Sequence, residues 1–138
     1  MNRADFQQIA EMRLQESKAL LAAGFPEGAY YLAGYAVECA LKACIAKRTQ
    51  QHDFPDKKLV NESHTHNLKE LLRLANLDGS LDADSRVLPA LATNWTIIQN
   101  WSETSRYDSG RSLQEAGSLV LAIESPSGGL LPWVQQRW

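Results

Sequence analysis

Residues 29–46 read Ala-Tyr-Tyr-Leu-Ala-Gly-Tyr-Ala-Val-Glu-Cys-Ala-Leu-Lys-Ala-Cys-Ile-Ala. On a helical wheel the stretch is apolar on nearly every side, yet Glu38 and Lys42 stand in its middle. A helix apolar all round lies at the centre of its fold. Opposite charges spaced i,i+4 reach each other along one face, whereas either one buried alone is costly. The stretch therefore predicts a central helix carrying a buried polar pair. The wheel sets Glu38 beside Tyr31, Gly34, Leu41 and Ile45, with Lys42, Arg13 or a tyrosine hydroxyl as its partner.

Working outward, residues from about Asp5 to Ala23 keep helical spacing, with Phe6, Ile9, Ala10, Leu14, Leu20 and Leu21 on one face and Gly24 as the stop. Arg13 falls inside that apolar face beside Ser17. Either it snorkels to water or it reaches Glu38 of the next helix. The short link Phe25-Pro26-Glu27-Gly28 places proline near a helix start, so the first two helices form an antiparallel hairpin. The second helix runs to about Arg48, and Pro55 forbids its continuation.

Residues 50–65 lack periodicity and read as a long loop or crossover with at most a helical turn. Asn67 and Glu70 resemble a capping box opening a third helix that ends near Asn76, before the turn signal Asp78-Gly79. Asp82 or Asp84 caps a fourth helix with Val87, Leu88, Leu91, Trp95 and Ile98 on one stripe, its start delayed or kinked by Pro89. After a polar link, Ser112 and Glu115 form a further capping box, opening a fifth helix closed at Ser125-Pro126. The chain thus predicts one all-α domain over residues 1–138, an up-and-down bundle of about four to five helices. Residues 125–138 form an apolar docking tail, with Leu130, Leu131, Trp133, Val134 and Trp138 seated on the bundle or on a second copy of the chain. The second arrangement makes a homodimer.

With 138 residues and a formal net charge of −2, the chain lacks the basic excess of a dedicated nucleic-acid binder, which leaves only a local basic patch. Cys39 and Cys44 lie in one helix and point apart, a pattern that suits a reducing cytoplasm. No signal-like start precedes the first helix, and charges inside the longest apolar stretch argue against a membrane span. No cofactor is implied. His64 and His66 lack the i,i+4 spacing of a helical metal pair, no cysteine stands nearby, and Asp53, Asp56 and Glu62 form no pattern, so no metal site is expected.

Three stretches together resemble the HEPN domain family: residues 24–42, His66-Asn-Leu-Lys-Glu-Leu-Leu72, and Trp101-Ser-Glu-Thr-Ser-Arg-Tyr107. The resemblance implies a small helical bundle, often paired with a minimal nucleotidyltransferase. Members that cut RNA carry an Arg, roughly four to six residues, then a His near the start of the last long helix, which supply a cation for phosphate and a proton-transfer group. Here His52, His64 and His66 all lie upstream of Arg106 and Arg111. The expectation is therefore a non-catalytic domain that binds RNA or a nucleotidyltransferase-type partner through Arg106, Tyr107, Trp101 and Arg111, since aromatics and cations in a link suit bases and phosphates. Arg106 can instead fix the link through helix-end carbonyls or a carboxylate. One competing reading is a ribonuclease toxin of a toxin-antitoxin pair, with Arg106 and an atypical acid or base, His66 or Tyr107. Another is a structural dimerisation module.

Overall fold

The computed structural model describes residues 1–50 and 57–138; the histidine, aspartates and proline noted at positions 52, 53, 55 and 56 lie outside the described residues. Helix α1 (Arg3–Ala22) opens on a reciprocal capping box, in which the Asn2 side chain accepts from the Asp5 amide and the Asp5 carboxylate accepts from the Asn2 amide. Gly24, at φ +87°, turns the chain. Helix α2 (Pro26–Gln50) then runs back along α1. The two are clasped where the buried Ser17 hydroxyl donates to the Ala29 carbonyl at 2.6 Å, which places Ser17 productively in the apolar face. Arg13 does not reach Glu38. It pairs with Glu16 one turn along its own helix at 2.7 Å, where the guanidinium keeps contact with water and avoids the cost of desolvation.

Helix α2 is the spine of the molecule. Ala33, Ala36, Val37, Ala40, Leu41 and Ala43 are all buried, because α1, α4 (Leu68–Leu74), α7 (Leu113–Glu124), α8 (Leu130–Gln135) and the 3-10 turn Glu103–Tyr107 pack around it. The alanines on several faces let those neighbours approach closely. Between α2 and α4, the short α3 (Lys57–Glu62) contributes the buried Leu59. The Asn67 side chain caps α4 by accepting from the Glu70 amide at 3.0 Å, while the Asn67 amide turns to Thr65 Oγ1.

The single fourth helix expected from the periodicity is two: α5 (Asp78–Val87) and α6 (Pro89–Ile98). Pro89 starts α6, and Leu88 before it leaves the helical region at φ −124°, ψ 88°, as the ring of a following proline requires. Asp78-Gly79, expected as a turn, instead forms the first turn of α5. The capping box at Ser112 and Glu115 opens α7 as expected. With α3 and α8 added and the fourth helix split, the described residues form eight α-helices and one 3-10 turn, more pieces than expected around the same all-α bundle.

The tail folds onto its own chain. Leu130, Leu131, Trp133 and Val134 of α8 are buried against α2, α6 and α7. Asp84 of α5 fixes it by accepting from Trp133 Nε1 and Arg137 Nη2, each at 2.8 Å. The apolar tail is thus covered within one chain and gives no argument for a second copy. Among the described residues no helix is long and apolar enough to cross a membrane.

Candidate functional site

The middle of α2 carries a connected polar cluster. Glu38 is 2 % exposed, and its Oε1 accepts from Lys42 Nζ at 3.0 Å, as the i,i+4 spacing predicts. The same oxygen lies 2.8 Å from His66 Nδ1, and His66 Nε2 lies 3.2 Å from Glu103 Oε2. A ring nitrogen must carry hydrogen to bond a carboxylate, so only the doubly protonated imidazole makes both contacts at once. His66 thereby ties three elements together: α2, the approach to α4, and the 3-10 turn. The second carboxylate oxygen, Glu38 Oε2, is buried without a hydrogen-bond partner among the described residues. Next to Glu38, burial pushes the Cys39 thiol up to about 11, with the Glu38 charge adding to the effect. Burial also raises the Tyr35 hydroxyl, helped by Cys39.

The 3-10 turn is anchored from the other side by Trp101. Its ring stacks on Tyr31 with centroids 6.2 Å apart and lies over Gly34, where a Cβ would stand 2.2 Å from the ring atoms. Trp101 is buried, so it is not the base-stacking aromatic that its place in a polar link suggested. The reason lies in Gly34, whose missing side chain leaves the space on α2 that the indole occupies.

Beyond that anchor, the turn presents Arg106 and Tyr107. Tyr107 is 77 % exposed, and the Arg106 guanidinium sits 5.1 Å over its ring. Among the described residues no carboxylate pairs with Arg106. Arg111 behaves differently. It is bonded to Asp108 and, at 3.1 Å, to Glu115, and it stacks over the Tyr30 ring at 3.9 Å. The Asp108 bond chiefly raises the Arg111 pKa. Two carboxylates already answer its charge, so Arg111 acts as a strut between the link, α7 and α2. Tyr30 is shifted upward by burial, against the opposing charge of Arg111.

The structure therefore gathers Glu38, Lys42 and His66 into one cluster and joins it through Glu103 to the turn that carries Arg106 and Tyr107. Arg13 lies outside this cluster, Trp101 is buried against α2, and Arg111 is engaged by Asp108 and Glu115. Sequence reasoning missed Glu103, whose role depends on the tertiary meeting of two distant loops. It offered His66 as an acid or base of the ribonuclease reading, but not as a partner of Glu38. No group of three or more His, Cys, Asp or Glu side chains among the described residues is placed to hold a metal ion.

The family model described as HEPN domain matches residues 4–125, which includes α2, the His66 cluster and the 3-10 turn. No curated protein and no solved structure matches the chain.

Proposed function

The chain belongs to the HEPN domain family, and on that premise we propose that it is a non-catalytic binding domain whose contact surface for RNA is the 3-10 turn bearing Arg106 and Tyr107. The observation that carries this reading is the exposed cation-aromatic pair. A guanidinium with no carboxylate partner answers a phosphate, and the phenol ring beside it offers a face to a base. RNA is preferred over a nucleotidyltransferase-type protein because a turn of five residues exposes little apolar area for a protein partner. A purely structural dimerisation module loses its main support with the apolar tail buried.

Binding is preferred over cleavage because both nitrogens of His66 face carboxylates. With both nitrogens protonated, neither can take a proton from a 2′-hydroxyl until Nε2 gives up its hydrogen and Glu103 moves away. The ribonuclease reading is kept for one specific reason: Glu103 joins His66 to the very turn that carries Arg106, so a proton-transfer group and a cation belong to one connected cluster.

Fluorescence anisotropy with a mixed set of short single-stranded RNAs, run across a salt series, tests the proposal. Affinity is expected to fall steeply with salt and to drop about tenfold in Arg106→Ala, as losing one charge-assisted contact does. Gels run with and without chelator should show no product. Absence of binding at low salt refutes the proposal, and metal-independent cuts that need Arg106 together with His66 or Tyr107 replace it with the enzyme reading.

A further inference from the structure

At the far end of α2 lies a second cleft, of about 420 Å³, between the last turn of α2, the loop after α4 and the end of α8. Three cations line it, Lys47, Arg48 and Arg137, together with Asn76. No carboxylate and no aromatic ring is among its described lining residues. In a chain of net charge −2 this concentration runs against the overall balance. The cleft is distinct from the Arg106 surface, since residues 34 and 47 of α2 are separated by about 20 Å of helix at roughly 1.5 Å per residue.

Each cation is held in place. Arg48 Nη1 donates to the Leu74 carbonyl at 2.7 Å, and Lys47 Nζ donates to the Arg137 carbonyl at 3.3 Å. Arg137 donates to the Trp133 carbonyl at 2.7 Å and to Asp84 at 2.8 Å, and its guanidinium lies 4.0 Å over the Trp133 ring. Cations beside helix C-termini complement the helix dipole and cap open carbonyls, which accounts for the bonds to Leu74 and Trp133. It does not account for three positive charges sharing one cleft, where they repel one another. Among the described residues, Asp84 pairs with one of them, Arg137. Lys47 and Arg48 each spend one donor on a carbonyl and keep others free, because an ammonium has three and a guanidinium five.

We propose that this cleft binds a compact polyanion, pyrophosphate or the polyphosphate end of a small phosphorylated molecule, through Lys47, Arg48 and Arg137 with the Asn76 amide as a fourth donor. The lack of an aromatic wall directs recognition to the phosphates. A preformed cation cluster has little ordering left to lose on binding, which favours a small, highly charged ligand.

Isothermal titration of the full chain with pyrophosphate, at ionic strength held fixed with sodium chloride, tests the site. Saturable one-to-one binding is expected, weakened about tenfold in Arg48→Met and in Lys47→Gln by loss of a charge-assisted contact. Lys18→Gln, which alters a lysine paired with Glu124 on another face, should leave binding unchanged. Because Arg48 also holds the end of α4, Lys47→Gln checked by its circular dichroism melt is the decisive variant. A nucleoside triphosphate should compete with pyrophosphate at comparable affinity. The proposal is overturned by lack of saturation, by binding that folded Lys47→Gln leaves intact, by equal weakening in Lys18→Gln, or by triphosphate binding where pyrophosphate has none.

Discussion

Replacing Glu38 by alanine tests the central device of the fold. The carboxylate is 2 % exposed, and one of its oxygens serves both Lys42 and His66. Removing it strands two donors. Lys42, 17 % exposed, loses its carboxylate inside the bundle, while His66, 46 % exposed, keeps access to water and to Glu103. Breaking a buried pair from one side costs about 3–5 kcal/mol. The partial exposure of both partners places this case at the lower end, near ~3 kcal/mol. For a chain of this length that corresponds to a fall in melting temperature of about 10 °C. Glu38→Gln keeps the volume and an acceptor but not the charge, so a smaller loss, about 1–2 kcal/mol, is expected. Urea denaturation with a shared m value measures both. Adding Lys42→Ala to Glu38→Ala should cost less than the sum of the single changes, because the stranded ammonium is removed with its partner. An unchanged midpoint for Glu38→Ala, or strict additivity in the double variant, would refute the buried-pair account.

Gly34→Ala should destabilise the fold by about 1–3 kcal/mol despite the better helix propensity of alanine, since its methyl would stand 2.2 Å from the Trp101 ring; a red shift in tryptophan emission reports the displaced indole, and a gain in stability would show that the ring is not seated there. The two thiols give a pH prediction: burial raises Cys39 and Cys44 from 9.0 to about 11, so above pH 9 the unfolded chain releases protons that the folded chain retains. Stability should therefore be fully present below pH 9 and decline as pH rises toward about 11. Replacing both cysteines by alanine should flatten that decline, and an alkaline profile that the double variant shares in full would assign the loss to other groups.

How much of this was legible in the sequence follows the range of each interaction. The central helix, the hairpin, the Glu38–Lys42 pair and the Ser112–Glu115 capping box rest on spacings of three or four residues or on one short link, and local patterns carry such information directly. The break at Pro89 was visible as a proline, but a stripe of apolar residues running through it favoured one helix; the local restriction before proline prevailed. Wheel position left Arg13 two readings, water or Glu38, and loop membership made Trp101 look exposed. Their surroundings were set by Glu16 on the solvent side and by a slot at Gly34 in a different helix. The glycine inside an otherwise bulky run was the available signal for that slot.

The same helix orders the surface proposed for binding. The 3-10 turn is pinned to α2 twice, by Trp101 lying over Gly34 and by Glu103 reaching Glu38 through His66. These anchors fix the base of the turn and leave its outer end, Arg106 and Tyr107, to solvent. A surface ordered before its ligand arrives loses little freedom on contact, which helps affinity. The histidine that does the pinning cannot also shuttle protons without releasing Glu103 and loosening the turn that presents the arginine. On the proposed reading, holding the binding surface in place and taking part in proton transfer are competing uses of His66, and its two carboxylate contacts favour the first.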